Sequence, residues 1–305
     1  MFSGAALVIG EALVDVVRGD GNQVEYPGGS AANVAVALAR LGRPTWLATS
    51  YAADEYGVLL AEHLSRNDVQ RANDPGAVTR TSSAVATLDA GGAATYTFDL
   101  QWRLNPVDLP PDVVPAVVHA CSIGAVLEPG AVDVLGEVQR FRGVATVSYD
   151  LNLRPSITGT GPDVVARIEK LVATADVVKA SDEDLEALSP EAAWEDTALR
   201  LLELGPTAVV VTRGRSGATV LRRGGRVDVP ASRVKVADTI GAGDTFGAAL
   251  LDALSSLGLL GAVRRDALAA LDDAGWHEVV SAAVRAAAIT VSRPGADPPT
   301  RAELG

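Results

Sequence analysis

Short apolar runs of strand type alternate with helical segments along most of this chain, and that rhythm narrows the fold more than any other feature. Ala5 to Gly10 is the first such run, and Glu11 to Val17 resumes it in alternation after one break. Gly19 to Gly29 reads as a turn-rich stretch. Ser30 then opens a helix from Ala31 to Leu41, with apolar residues at helical spacing and Gly42 as its stop. A strand at Thr45 to Ser50 and a helix at Asp54 to Arg66 follow. Further strands are expected near Val117 to Ile123, Val144 to Tyr149, Asp176 to Val178 and Ala208 to Thr212. Between them lie helices at Pro129 to Arg140, Pro162 to Thr174, Asp182 to Leu188 and Trp194 to Leu204. Helices from about Ala242 to Leu257 and from Trp276 to Ile289, then a polar tail with three prolines, complete the chain.

Two stretches depart from the rhythm. Ser82 to Asp89 and Ala93 to Leu100 flank Gly91-Gly92, and Ala218 to Leu221 and Arg226 to Val229 flank Gly224-Gly225; both read as hairpins. The fold expected is α/β, a doubly wound and mostly parallel sheet with helices on both faces and a small β-strand lid. One domain over residues 1–305 is the expectation, with lid strands inserted at about 11–27 and 82–104. Ligands of such a sheet bind at the C-terminal ends of its strands.

Composition removes several classes of function. A formal net charge of -12 opposes a sequence-independent nucleic-acid binder, which needs a positive field. Only Lys170, Lys179 and Lys235 are lysines and none follows a glycine, so the G-x-x-x-x-G-K-[ST] phosphate loop is missing. The lone Cys121 cannot form an internal disulfide and, with three histidines, leaves cysteine-rich or histidine-rich metal sites without ligands. His119 and Cys121 share a strand face, a pairing read as packing because no polar helper stands nearby in sequence. The run Val113 to Leu127 is interrupted by a proline and a histidine and is shorter than the about 18 to 20 apolar residues a membrane span requires. No basic segment precedes an apolar one at the N-terminus, as a secretory signal would require. A cytoplasmic protein with no membrane partner is expected.

The chemistry is concentrated in Asp238-Thr239-Ile240-Gly241-Ala242-Gly243-Asp244-Thr245-Phe246, which joins a hairpin to a helix. Gly241 and Gly243 let Gly241, Ala242 and Gly243 present backbone N–H groups at the helix N-terminus, where unpaired donors and the macrodipole bind an anion without a lysine. A carboxylate at Asp244, beside that anion, is useless for simple phosphate binding. General-base catalysis explains it: Asp244 accepts the proton of an attacking hydroxyl while the helix end faces the transferring phosphoryl group. A dehydrogenase is disfavoured, since Phe246 occupies the place of the third glycine in G-x-G-x-x-G.

These residues resemble the D-T-x-G-A-G-D signature of the ribokinase-like (PfkB) carbohydrate kinases, and other matches extend over nearly the whole chain. Gly28-Gly29-Ser30-Ala31-Ala32-Asn33 is similar to the family's N-terminal glycine signature, and Gly10-Glu11 with Asp15 to its first strand and sugar-binding aspartate. The resemblance implies that Asp15, Gly28, Gly29, Asn33 and Asp244 contact sugar hydroxyls, and short polar side chains with bare backbone suit a polyol. Glu128 falls where the family often has an acid near sugar and metal. Asp150-Leu151-Asn152-Leu153-Arg154-Pro155 resembles a segment of fructokinases and 2-keto-3-deoxygluconate kinases that implies Arg154 beside sugar and phosphates.

The same resemblance puts Thr212, Gly214 and Gly217 beneath the nucleotide together with Ser181. It implies ATP with Mg2+, the magnesium ordered through water by Asp184, where Ser181-Asp182-Glu183-Asp184 stands for the family's N-x-x-E. Asp238, Ile240, Thr290 and Gly295 match the loop positions that hold K+ in many members, and oxygen ligands suit a hard cation. The implied function is ATP-dependent phosphorylation of a monosaccharide, fructose above all, under a lid that excludes water. Ribose, 2-keto-3-deoxygluconate, a nucleoside stacked on Tyr96, Phe98 or Trp102, and a non-catalytic sensor on the same fold stay open. Exposed hairpin edges could also join two copies into a homodimer.

Overall fold

The structure is a computed structural model and describes residues 4–19, 22–88 and 94–305. Among these, thirteen strands form two sheets. In chain order they are β1 (Ala5–Ile9), β2 (Leu13–Gly19), β3 (Asn22–Gly28), β4 (Thr45–Ala48), β5 (Gln70–Arg71), β6 (Ser83–Leu88) and β7 (Ala94–Asp99). After them come β8 (Pro115–Cys121), β9 (Thr146–Asp150), β10 (Val177–Ser181), β11 (Ala208–Thr212), β12 (Ala218–Arg222) and β13 (Gly225–Val229).

The large sheet has the order β13-β12-β11-β10-β9-β8-β1-β4-β5. Its pairings are parallel from β5 through β11, and the hairpin β12–β13 joins antiparallel at one edge. Central strands such as β1 and β11 are apolar on both faces because helices cover both. The first helices are α1 (Ser30–Arg40), α2 (Glu55–Arg66), α3 (Ser122–Val126), α4 (Gly130–Phe141), α5 (Pro155–Thr158) and α6 (Pro162–Thr174). The remainder are α7 (Asp182–Leu188), α8 (Trp194–Glu203), α9 (Ala242–Ser256), α10 (Arg265–Ala269), α11 (Asp273–Val291) and α12 (Arg301–Leu304). Val138, Ile168, Leu185 and Leu201 seal one face of the sheet from α4, α6, α7 and α8. Leu38, Leu60, Leu250 and Trp276 seal the other from α1, α2, α9 and α11. This is the doubly wound arrangement that the alternation predicts.

The small sheet has the order β3-β2-β6-β7, and only three residues separate its β2 from β1 of the large one. Val14 and Val16 root it in the core, whereas Val24, Tyr26 and Tyr96 are exposed. Its β3 overturns the turn-rich reading of Gly19 to Gly29: glycines and Pro27 surround a short alternation of Val24 and Tyr26 with polar neighbours, and the turn residues dominated the reading. The Gly91-Gly92 turn lies outside the described residues. Another expectation is corrected after β8: the strand ends at Cys121 rather than Ile123, since Ser122 has a φ of +56° and starts α3. The polar tail also contains α12, capped by reciprocal hydrogen bonds between Thr300 and Glu303. Among the described residues no helix is long and apolar enough to cross a membrane.

Candidate active site

The C-terminal ends of β1, β8, β9, β10 and β11 deliver Glu11, Ser122, Asn152, Ser181 and Thr212 to one end of the large sheet. Helix α9 arrives there N-terminus first. Its N-cap Gly241 has φ +73°, and a β-carbon there would lie 2.6 Å from the β-carbon of Ala296, so backbone angle and neighbour both demand glycine. Gly243 is bare for a different reason. A β-carbon on it would meet the Lys179 Nζ at 3.3 Å, so an ammonium lies directly against the first turn of the helix.

Lys179 is buried in β10 and forms a 2.7 Å ion pair with Asp150 of β9. Register explains the meeting, since Lys179 pairs with Asp150 and Asp150 with Cys121 across three adjacent strands. Burial opposes the ammonium, but Asp150, Asp184 and Asp244 hold it above its ordinary value. Burial likewise pushes Asp150 up to about 6 against the pull of Lys179. The N-terminus of α9 therefore has a lysine beneath it, contrary to the expectation of a lysine-free site. The readable signal was the sequence Val177-Val178-Lys179-Ala180, a charge inside an apolar strand, which must find a buried partner.

Asp244, 7% exposed, stands in the first turn of α9. The Ser30 hydroxyl donates to its Oδ1 at 2.7 Å and the Asn33 amide to its Oδ2 at 2.8 Å. Burial raises the Asp244 carboxyl above the ordinary range, while Asn33, Ser30, Lys179 and Arg154 pull it back. Asn152 donates to the Ser30 hydroxyl at 3.0 Å. Glu11 ties the segments together: its two carboxylate oxygens accept from the backbone N–H of Ser30 at 3.1 Å and of Gly124 at 2.8 Å. Burial carries Glu11 up to about 7, the two backbone donors opposing it. Gly29, with φ +97°, lets α1 start against Glu11, whose carbonyl a β-carbon would approach to 2.6 Å. Sequence reasoning did not single out Ser30, Asn152, Glu11 or Lys179 as site residues, although each lies in or beside a motif that it did.

Asp15, half-buried on β2, faces the same region and is pushed up to about 6 by burial, with the Arg154 guanidinium opposing. A β-carbon on Gly28 would collide with the Asp15 carboxylate. Arg154 is exposed and bonded to the carbonyls of Asn152 and Leu153. Asp15, Gly28, Gly29, Asn33, Arg154 and Asp244 thus converge. Glu128 goes elsewhere, to a 3.0 Å ion pair with Arg167 of α6.

Ser181 caps α7 in a reciprocal pair with Asp184, whose other oxygen accepts from the Leu153 N–H at 2.8 Å. Thr212 ends β11, and its turn through Gly214 closes with the Arg213 N–H donating to the Gly217 carbonyl at 2.7 Å. Asp238 bridges two loops, accepting from the Ile240 N–H at 3.0 Å and the Gly295 N–H at 2.9 Å, and these donors hold its carboxyl below the usual range. The Thr290 hydroxyl lies 3.0 Å from that of Thr245 on α9. Among the described residues no three His, Cys, Asp or Glu side chains form a metal-holding cluster. His119 bonds to Ser148 at 3.1 Å and is held at about 3 by burial and by Lys179; burial raises the Cys121 thiol well above its ordinary value. Neither group is poised as base or nucleophile.

The family model of the pfkB family carbohydrate kinases matches residues 5–303. The chain is similar to the fructokinase of Rhizobium leguminosarum bv. trifolii, 35% identical over 266 residues, which are 83% of this chain and 81% of the relative. Among solved structures it is similar to the fructokinase with bound ATP from Xylella fastidiosa, with TM-score 0.83, 25% identity and coverage of 100% and 97% of the two chains. It is also similar to a fructokinase double mutant from Vibrio cholerae O395 in fructose, ADP and potassium ion bound form: TM-score 0.75, 27% identity, coverage 100% and 96%.

Proposed function

This chain belongs to the pfkB family of carbohydrate kinases, and from that premise we propose that Asp244 takes the proton of a fructose hydroxyl as ATP phosphorylates it. It is an ATP-dependent sugar kinase. The observation carrying the assignment of the base is the placement of a buried carboxylate in the first turn of α9, one residue after the Gly241 to Gly243 amides. An oxygen–phosphorus bond forms to the sugar, the bond from the γ-phosphorus to the bridging oxygen breaks, and ADP leaves. The amides of Gly241, Ala242 and Gly243, with Lys179 beneath them, face the charge on the phosphoryl group.

Asp15, Gly28, Gly29 and Asn33 are the sugar-side contacts in this reading, and Arg154 stands between sugar and phosphates. Glu128 would join them only by leaving Arg167. Ser181, Thr212, Gly214 and Gly217 form the floor under the nucleotide. Asp184 already accepts one backbone N–H on each oxygen, which fits an indirect, water-mediated hold on magnesium rather than direct ligation. Magnesium, when bound, neutralises charge on the β- and γ-phosphate oxygens. The Asp238 carboxylate and the carbonyls of Ile240 and Gly295 on two joined loops, with that of Thr290 in the last turn of α11, are hard oxygen donors, a set that fits potassium. The small sheet acts as the lid, and its edge strands β3 and β7 offer the pairing surface of a homodimer, which light scattering at assay concentration checks.

ADP release over a panel of fructose, ribose, 2-keto-3-deoxygluconate and nucleosides, with magnesium and potassium, tests the substrate. Fructose should give the highest kcat/KM. A higher value for any other acceptor overturns fructose while leaving the kinase, and tight ATP binding without turnover on any acceptor favours the sensor.

A further inference from the structure

The polar groups around Asp244 form a chain with a direction. Ser30 has one hydroxyl proton and two lone pairs, and it sits between Asp244 Oδ1 at 2.7 Å and the Asn152 side-chain amide at 3.0 Å. An amide nitrogen only donates, so Asn152 occupies a lone pair of Ser30 and the single hydroxyl proton is left for Asp244. Asn33 donates to the second oxygen of the same carboxylate. Asp244 therefore receives on both oxygens and is asked to donate on neither.

The backbone is strained to build this chain. Asn152 has φ +36° and Ser122 φ +56°, and the Ser122 hydroxyl donates to the Asn152 carbonyl at 3.2 Å. Adjacent left-handed residues that are not glycine persist only where the surroundings over-determine them, and they collect at functional sites. The segment from Asp150 to Arg154 divides three tasks among alternate residues. Asp150 neutralises Lys179, Asn152 reaches Ser30, and Arg154 acts on Asp15 and Asp244 through its charge.

We propose that Asn152 is a positioning residue: acting through the Ser30 hydroxyl, it fixes that proton on the Asp244 carboxylate and so keeps the carboxylate ready to accept the proton of the sugar. This rests on the reading of Asp244 as the base. The charged and titratable groups facing Asp244 are Lys179 and Arg154 on the favourable side and Glu11, Asp150 and Cys121 on the other. The acids stand close enough to resist a further negative charge. Neutral donors that add no charge are the remaining way to hold Asp244 ionised, and Asn152 sets the sense of one of them.

The test is the pH profile of kcat/KM for the acceptor that turns over fastest in the panel, with ATP saturating. Ser30→Ala removes a hydrogen bond to a charged group, so its acid limb should move up by about one pH unit. Asn152→Gly keeps the left-handed backbone and removes only the amide; its limb should move the same way by about half as much, since Ser30 can still donate after turning. The double variant should match Ser30→Ala alone, because Asn152 acts through Ser30. In each the rate at high pH should fall far less than the rate at pH 6.

An acid limb that stays in place in both variants, or an Asn152→Gly shift that adds in full to that of Ser30→Ala, overturns the relay. So does a uniform loss at every pH with unchanged limb, which marks a merely structural contact. Asp244→Asn, run beside them, separates the two failures. If that variant keeps its turnover, the base assignment itself is wrong. If it is dead while the profiles of the other variants are unmoved, only the relay is wrong.

Discussion

Helix α9 carries two buried aspartates, Asp244 in its first turn and Asp252 two turns later, 7% and 4% exposed. They lie about 12 Å apart along one helix axis and differ in their partners. Asp252 is held by guanidinium groups: Arg43, from just after α1, at 2.5 Å, and Arg301 of α12. Asp244 has neutral donors, the Ser30 hydroxyl and the Asn33 amide. A guanidinium cancels the charge and fixes two chain segments to the helix, so Asp252 is a clamp. Neutral donors orient a carboxylate without cancelling its charge, so burial still raises its proton affinity. In the proposed mechanism the same side chain on the same helix is structural at one end and chemical at the other because of what faces it.

Asparagine substitution at the two positions gives the largest expected contrast. Asp244→Asn should lower kcat by about 10²- to 10⁴-fold, the usual worth of a positioned base, with no drop in thermal midpoint. Asp252→Asn should leave turnover per folded molecule within about twofold and lower stability by up to about 3 kcal/mol, since two arginines lose a charge partner. Calorimetry and ADP release on both variants decide it. Equal losses of activity would erase the distinction between clamp and base.

Lys179 tests an intermediate case, a cationic charge partner placed at the end of α9 where the chemistry is proposed. Lys179→Met should destabilise the fold by about 3 kcal/mol, because Asp150 is left buried and charged. Adding Asp150→Leu should restore much of that stability. It should not restore the KM for ATP, if the ammonium under Gly243 serves the phosphates. Recovery of both would make this pair a second clamp.

How far this division could be read from the chain is uneven. The β–α rhythm, the hairpin around Gly224-Gly225 and the start of α9 at Ala242 were legible because each rests on local patterning or turn chemistry. Asp244 and Asn33 were legible as members of two motifs, although 211 positions separate them. Their mutual hydrogen bond was not, because it depends on where two strands end. Lys179 was noted only as one of three lysines outside a phosphate loop, since a propensity reading cannot tell a charge that meets a buried carboxylate on the next strand from one in water. Strand β3 lies within the lid strands expected at about 11–27, yet its segment also reads as turn-rich because glycines and Pro27 surround the short Val24, Tyr26 alternation, and the Arg301 clamp was missed because a polar tail reads alike whether docked or free. Glu128 was assigned by motif position, whereas its side chain follows the nearer cation, Arg167.

The smallest expected effect concerns stability against pH. Glu11 is pushed up to about 7, and Asp15 and Asp150 to about 6. The unfolded chain releases these protons first, so the folded state binds more protons over this interval. Their stabilising contribution is full below the unfolded values and is lost as pH rises through the folded ones. The thermal midpoint should therefore decline from about pH 4 to about pH 7, and Glu11→Gln should flatten the upper part of that slope. A wild-type midpoint that climbs through the same range would show that the clamps, not the chemical end, govern the pH response.

The ammonium beneath Gly243 has one more consequence, for behaviour in salt. At -12 the molecule as a whole repels ATP, and that repulsion acts through water, where mobile ions weaken it. Lys179 is out of reach of those ions and acts through the protein. Raising the ionic strength thus removes more of the repulsion than of the attraction, so nucleotide affinity should hold or improve where a protein that attracts ATP by surface lysines would lose it.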